Sequence, residues 1–186
     1  RPKGAGFEMA NEHAFLTGMM ASCLAFSPDG ALFVGDWDGM WAPSGKGSIW
    51  RVDDPAAAKS TVRAEVRDRL KQGPRNRSVG ELLEWLGHPD QRIRQSAQFE
   101  LVRQSRFSEL RTLALSHGSP WIARLHAIRG LGQGRAARTS ADLPFTDADA
   151  RLRAQSAKIA GEIRLAAAAP ALIQLLSDPE APVQFQ

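Results

Sequence analysis

The sequence predicts an α+β fold that is mainly α: a short antiparallel three-stranded sheet followed by an α-solenoid, a superhelical stack of paired helices. Two observations lead to this prediction. Short apolar runs separated by Gly- and Pro-rich turns fill residues 22–52, a pattern typical of strands. From residue 78 onward, a unit of two helical patterns recurs about every 30 residues, which indicates a repeat architecture.

Three strands are predicted at residues 22–27, 31–36 and 47–52. The first two flank the sequence SPDG, in which Pro28 suits the second position of a turn and Gly30 can adopt a positive φ. Three short strands cannot bury two faces by themselves, so this sheet predicts neighbours that cover it. A small unit of this kind resembles part of a β-propeller blade, and we assign residues 1–55 to it.

A helix is predicted next, at residues 59–70, where Val62, Val66 and Leu70 recur at a spacing of four. Gly73 and Pro74 end it. We assign residues 56–77 to a bridging helix and linker, and residues 78–186 to the solenoid.

The repeat is clearest in the second helix of each unit. An apolar or small residue recurs at Ile93, Ala123, Leu152 and Val183, in steps of 30, 29 and 31 residues. Arg94, Arg124 and Arg153 follow the first three, and Gln184 follows the last. We expect the four positions to be equivalent and buried in successive layers.

The first helices are predicted at residues 78–88, 107–117 and 168–178. Ser78 and Glu81 form a capping-box pattern at the start of the first one. The third unit has only a weak candidate, RAARTSADLPFT, which Pro144 interrupts, so we expect an irregular or shortened element there.

The composition limits what the chain can do. Of its 186 residues, 43% are hydrophobic and 24% charged, and the net charge of +4 allows an acidic partner without requiring one. No apolar run reaches the roughly 18 residues that span a bilayer, so we expect no membrane insertion by this segment. The single cysteine, Cys23, excludes a disulfide within the chain; its apolar surroundings predict a buried small side chain.

Two sequence patterns, one for a calcium site and one for a phosphate-binding loop, are incomplete. Asp36 and Asp38 could bind calcium through their carboxylates, but the third acidic position and final Glu of an EF-hand loop are missing. Ser44 with Gly45 and the rest of GKG lacks the spacing of a phosphate-binding loop.

Aromatic and histidine side chains offer further candidates. Trp37, Trp41 and Trp50 could form a ligand platform, although packing in a core or over a sheet edge is the commoner use of such residues. His13 beside Glu12 lacks a third partner and is predicted to be a surface residue. The remaining histidines, which show no zinc-ligand spacing, are His88, His117 and His126. We predict no catalytic, cofactor-binding or metal-binding residue in this chain.

The units PDQRIRQSAQFEL and DARLRAQSAKIAGEI resemble HEAT repeats, a family of the ARM-type superhelix. The resemblance implies that the arginine after the apolar position pairs with an acidic residue in the turn between helices. Asp90 and Asp149 stand where that partner belongs, so Arg94 and Arg153 are expected to brace neighbouring units. Arg124 lacks an acid at Ser119 or Pro120 and is expected to be available for another role.

Taken together, FSPDGALFVGDW, GKGSIWRV and HPDQRIRQSAQFEL resemble the haem-containing, membrane-bound dehydrogenase-like proteins of the PVC bacterial group. Those proteins resemble a glucose/sorbosone dehydrogenase-type β-propeller followed by HEAT repeats and a c-type cytochrome domain. The resemblance implies a fragment from the last blade onward, in the periplasm or cell envelope. Haem c or a quinone, and the oxidation of a sugar or alcohol, would belong to the parent protein.

The predicted function is therefore architectural, with a protein partner or neighbouring domains of the same chain docked on the solenoid. A stand-alone HEAT scaffold for protein binding is one alternative. A nucleic-acid-binding module is another, which the sequence disfavours because its arginines are interspersed with Glu and Asp.

Overall fold

The computed structural model describes residues 1–37, 45–134 and 143–186. Its described part is mainly helical, with two small antiparallel sheets, which confirms the mainly α prediction. The chain separates into two compact units. We call residues 11–73 the sheet unit, and residues 74–186, with which residues 1–10 group, the helical unit.

Three strands form the larger sheet: β3 (Ala21–Phe26), β4 (Leu32–Trp37) and β5 (Gly47–Val52). They lie in sequence order, and each is antiparallel to its neighbour. The bounds agree with the prediction to within one residue. A small hairpin before this sheet, made of β1 (Pro2–Lys3) and β2 (Gly6–Phe7), was not predicted.

The turn between β3 and β4 forms as the sequence predicts. The backbone N–H of Gly30 donates to the carbonyl of Ser27 at 2.9 Å, with Pro28 in the second position of the turn. Gly30 has a φ of +83°, which a residue with a Cβ adopts only at a cost. The Ser27 hydroxyl also donates to the carboxylate of Asp29 and holds the turn closed.

The sheet exposes apolar side chains on both faces. The register places Leu24, Phe26 and Val34 on one face and Ile49 on the other. Val34 is buried, but Leu24 is 65% exposed, Phe26 66% and Ile49 78%. The expectation that three strands alone leave apolar surface uncovered is met.

Cys23 is exposed, so the prediction that it is buried was wrong. The reason is its position on β3, at the edge of the sheet, where flanking apolar residues do not imply a covering layer. Its Sγ lies over Gly35, where an added Cβ would stand only 2.5 Å from the sulfur. The missing side chain at Gly35 is what gives Cys23 its space.

Helix α1 (Thr61–Gln72) follows a 3-10 turn at Ala57–Lys59 and ends at Gly73, which has a φ of +69°. Arg63 ties this helix to the hairpin: its Nε donates to the carbonyl of Asp29 at 2.6 Å, and its Nη1 to Asp53 at 2.8 Å. Of the predicted apolar stripe, Val66 is buried, whereas Val62 is exposed.

The helical unit contains seven further helices in its described residues. They are α2 (Val79–Trp85), α3 (Gln91–Arg103), α4 (Phe107–Leu115), α5 (Trp121–Gln133), α6 (Ala150–Glu162), α7 (Ala169–Leu175) and α8 (Ala181–Gln184). Helices α3, α5, α6 and α8 contact one another in that order, while α2 packs on α3 and α4 on α5. Most of the irregular element predicted before α6 lies outside the described residues.

Local capping explains where these helices begin. Ser78 and Glu81 form the predicted capping box at α2, with the N–H of Ser78 donating to Glu81 at 2.9 Å. Asp90 caps α3 by accepting from the N–H of Arg92 at 2.8 Å, and Asp149 caps α6 in the same way. Each cap satisfies a backbone donor that has no partner within its helix.

The recurring apolar position holds the same place in each of four helices. Ile93, Ala123, Leu152 and Val183 are the third residues of α3, α5, α6 and α8, and all four are buried. The expected burial of this position in all four helices is confirmed. Because each of these helices contacts the next, their third residues form part of one continuous apolar core.

Candidate functional site

Two ion pairs connect successive helices of the helical unit. Arg124 on α5 pairs with Asp147, which lies in the turn before α6. Arg153 on α6 pairs with Asp178, in the turn before α8, with an Nε to Oδ2 distance of 2.7 Å. Arg153 therefore connects its helix to the next, as expected, and so does Arg124, but in both cases the acidic partner comes from the following turn.

Asp90 and Asp149 were the predicted partners of Arg94 and Arg153. In the structure they make other interactions. Their carboxylates cap their own helices and pair with Arg92 and Arg151, at 2.8 and 2.5 Å. A capping carboxylate is already oriented toward the first turn of its helix, so the arginine two residues along reaches it most directly. The predicted partners were wrong for this reason.

Arg124 is not available for another role, contrary to the expectation. It is buried, and besides Asp147 it binds the carbonyl of Ala114, with an Nε to O distance of 3.0 Å. Burial acts to raise the pKa of Asp147, but the hydrogen bonds from Arg124 and from the N–H of Asp149 outweigh it, so that pKa is lowered. The prediction considered only the turn before Arg124, whereas the acid lies in the turn after it.

Arg94 has a different partner because the matching acid is missing. Asp147 stands six residues before Arg153, and Gly118 holds the corresponding place before Arg124. Arg94 instead donates from Nη1 to the carbonyl of His88 at 2.6 Å and from Nε to Nε2 of His126 at 3.1 Å. A histidine thus substitutes for the carboxylate between the first two units.

His126 is buried and neutral. Its Nε2 accepts from Arg94, so its Nδ1 carries the proton and donates to Oε1 of Gln98 at 2.7 Å. Burial first, and then the charges of Arg129 and Arg94, lower the pKa of His126 to about 4. The lowered pKa shows that the surroundings of this ring oppose a further positive charge.

A polar groove runs across α3, α5 and α6 beside His126, with a volume of about 340 Å³. We call it the α3–α5–α6 groove. The residues that define its character are Gln98, Phe99, Arg129, Gln133, Gln155 and Lys158. Amide groups, two cations and one aromatic ring thus line it.

The hydrogen bonds inside the groove leave several donors available. Arg129 uses Nε to donate to Oε1 of Gln155 at 3.0 Å, and Gln98 donates from Nε2 to Oε1 of Gln133 at 3.1 Å. Within the part of the chain that the structure describes, the Nη atoms of Arg129 and the amide nitrogens of Gln133 and Gln155 have no hydrogen-bond partner. The groove can therefore donate several hydrogen bonds to a ligand.

The sequence carries a signal for this groove that the predictions above did not use. Phe99, Arg129 and Lys158 each lie six residues after the recurring apolar position of their helix. All three line the groove, so comparing the helices at that offset would have placed an aromatic and two basic residues together.

A second groove of about 360 Å³ lies at α2 and α4 and is mainly apolar, with Leu83, Thr112 and Leu113 in its lining. Two of its hydroxyls are already bonded: Ser108 donates to Glu109 at 2.6 Å and Thr112 to the carbonyl of Ser108 at 3.0 Å. It offers a ligand fewer hydrogen bonds than the α3–α5–α6 groove.

The calcium and phosphate candidates do not form a site in the described residues. Both carboxylate oxygens of Asp36 are occupied, by the N–H of Met20 at 2.8 Å and by Nε1 of Trp50 at 3.0 Å. Asp38 and Ser44 lie outside the described residues. No group of three His, Cys, Asp or Glu side chains suited to a metal occurs in the ranges described. A c-type haem does not fit this chain either, since it has one cysteine.

The three tryptophans, for which packing was predicted and a ligand platform was the alternative, are only partly described, because Trp41 lies outside the described ranges. Trp37 and Trp50 are about half exposed, so neither fills a core. Trp50 donates from Nε1 to the carboxylate of Asp36 on the neighbouring strand. His13 and Glu12 are exposed, as predicted.

Among the helices in the described ranges, none combines the length and apolar character needed to cross a lipid bilayer. Comparison with protein-family models, with curated proteins and with solved structures finds no match to this chain.

Proposed function

We propose that the helical unit is an α-solenoid of HEAT type that docks a protein partner, or neighbouring domains of its own chain, as an architectural segment of a larger dehydrogenase-like redox protein. The ordered contacts of α3, α5, α6 and α8 support the solenoid. So do the arginine ion pairs that connect one unit to the next. Solenoids characteristically bind partners along the surface that their repeats build together.

The observation that carries the docking role is the α3–α5–α6 groove. It crosses three successive helices and offers the Nη atoms of Arg129 and the amides of Gln133 and Gln155 to a ligand. Its described lining contains no serine, threonine or cysteine that could act as a nucleophile beside a base. Binding is therefore the role that these groups serve best.

The sheet supports the proposal that this chain includes part of a β-propeller blade. Leu24 and Phe26 on one face and Ile49 on the other are largely exposed. A blade in a closed ring has a neighbour against each face, which would bury these side chains. The redox role of the parent protein rests on the sequence resemblance.

The docking role can be tested by photo-crosslinking in the intact parent protein. A photoreactive side chain at Gln133 or Gln155 is expected to give a crosslink to a defined protein segment. The same side chain at Glu65 on α1, outside the groove, is the control and should give no such product. Equal products at all three positions, or crosslinks to nucleic acid, would contradict the proposal.

The sequence encoded on either side of these residues distinguishes a segment of a redox protein from a stand-alone HEAT scaffold. The redox parent predicts further propeller strands upstream and a Cys-x-x-Cys-His haem motif downstream. A frame that lacks both would favour the stand-alone HEAT scaffold, for which the groove is equally suited.

A further inference from the structure

We propose that the α3–α5–α6 groove binds an acidic, extended segment of a partner protein, and that Arg129 receives a carboxylate of that segment. This inference rests on the docking role proposed above and specifies the chemistry of the partner. It follows from the unused donors of the groove, its charge and its volume.

Arg129 differs from the other well-placed arginines of the helical unit. Arg124 and Arg153 each bind a carboxylate of the same chain, as do three further arginines, Arg92, Arg103 and Arg151. Arg129 is half-buried and binds only the amide oxygen of Gln155 among the described residues. Its two Nη groups therefore keep the parallel N–H donors that match the two oxygens of a carboxylate.

The charge around the groove also favours an anion. Arg129 and Lys158 line it, and Arg94 lies behind the ring of His126, whereas Glu162 is the single acid among the described lining residues. Lys158 and Glu162 stand 3.9 Å apart and are both about half exposed, so water screens their attraction. His126 remains neutral there, first because it is buried and then because Arg129 and Arg94 oppose its protonation. It therefore adds no positive charge of its own to the groove.

The amide groups favour an extended segment over a helix. Gln133 and Gln155 keep N–H donors without a partner in the described part of the chain. An extended main chain presents carbonyl groups that still need donors, whereas a helix has satisfied its own. Phe99 is half exposed at the edge of the groove and gives an apolar side chain a surface to contact. A volume of about 340 Å³ is at the small end of ligand sites, which suits a few side chains.

An acidic protein segment fits better than nucleic acid. A phosphate backbone binds through a long row of cations, each releasing a counterion. The groove has two lining cations. Arg124 and Arg153, further along α5 and α6, are paired with acids of this chain. The groove instead gathers its arginine and amide donors at one place, where they can bind one or two carboxylates.

The test measures fluorescence anisotropy of a labelled peptide that alternates Glu and Ser, added to the full chain. The comparison probe is the same peptide with every Glu replaced by Gln. We expect the acidic peptide to bind at least about tenfold more tightly, which is the worth of one charge-assisted hydrogen-bonded pair. Arg129→Gln should weaken its binding by about the same factor.

Lys71→Gln is the matched control, because it removes one positive charge from exposed α1 without touching the groove. Unchanged affinity in this variant together with the loss in Arg129→Gln supports the proposal. Equal losses in both variants, or no loss in Arg129→Gln, would overturn it. So would tighter binding of single-stranded oligothymidylate of equal charge that depends on Arg129.

A failure of the acidic-partner proposal can be distinguished from a failure of the docking role. If groove crosslinks form with a protein in the parent but the acidic peptide does not bind, the docking role stands and the acidic partner is wrong. If neither occurs, the docking role itself fails. Circular dichroism of each variant verifies that Arg129→Gln remains folded.

Discussion

The helical unit buries the apolar residue that recurs in its helices, whereas the three-stranded sheet leaves several large apolar side chains exposed. Ile93 and Leu152 are fully buried, while Leu24, Phe26 and Ile49 are mostly exposed. One ion pair from each unit illustrates the two extremes of exposure. Arg124 and Asp147 are almost wholly enclosed, whereas both partners of the pair between Arg67 and Asp68 are about half exposed.

This difference follows from how each architecture supplies neighbours. In the helical unit the element that covers one helix is encoded about 30 residues further along, so the chain provides its own packing partners. The three strands of the sheet pair edge to edge, which satisfies the backbone but leaves two faces to be covered. We therefore expect the helical unit to be far more sensitive to truncation of side chains.

The largest expected effect comes from the buried ion pair. Asp147→Ala leaves the guanidinium of Arg124 buried without a counter-charge, and we expect a loss of about 3–5 kcal/mol in the free energy of unfolding. Urea unfolding followed by far-UV circular dichroism measures it. Asp68→Ala is the control in the sheet unit and should cost only a small fraction of that, because water screens its exposed pair. Similar losses in the two variants would remove the contrast between the units.

A matched pair of leucines tests the contrast in packing directly. Leu152→Ala creates a cavity in the helical core and should cost about 2–5 kcal/mol, whereas Leu24→Ala removes a mostly exposed side chain and should cost less than about 1 kcal/mol. Native-state hydrogen exchange reports each unit separately. A cost for Leu24→Ala as large as that for Leu152→Ala would show that the sheet face is covered in solution.

The free energy of unfolding of the helical unit should depend on pH because His126 is buried in its neutral form. An unfolded histidine, with a pKa near 6.5, takes up a proton before the folded one, with a pKa of about 4. The free energy of unfolding therefore falls as the pH is lowered from about 6.5 toward 4, by about 2 kcal/mol at pH 5. Urea unfolding at pH 7 and pH 5 measures this fall.

His126→Asn should abolish most of that fall, because asparagine does not titrate. His13→Asn, in the exposed N-terminal part of the sheet unit, should leave it unchanged. If the wild type and His126→Asn lose the same stability between the two pH values, the buried neutral histidine is not the cause.

The smallest effect concerns the hairpin turn of the sheet unit. Gly30→Ala forces a side chain into a backbone with a φ of +83° and places its Cβ 2.8 Å from Nε of Arg63, for a cost of about 1–2 kcal/mol. Gly80→Ala in α2 meets nothing within 4 Å and should be neutral or slightly stabilising. Hydrogen exchange of the β4 backbone amides measures the destabilisation caused by Gly30→Ala. Equal effects in the two variants would mean that the turn does not constrain the sheet.

Local patterns were the best guide to this protein. The strand bounds, the turn at Gly30, the capping box at Ser78 and the buried positions of Ile93, Leu152 and Val183 all followed from short-range chemistry and periodicity. The burial of Cys23 was predicted wrongly because an apolar run does not specify whether another layer covers it.

By itself the sequence determined the three strands of the larger sheet, most of the helices and the recurring residues, because capping, turn geometry and helical period act within a few residues. Only the tertiary structure decided which acid each arginine binds, that His126 replaces a carboxylate, and that Arg129 keeps unused donors beside two glutamines. Those outcomes depend on how one helix packs against another, and contacts between side chains about 30 residues apart are set by that packing.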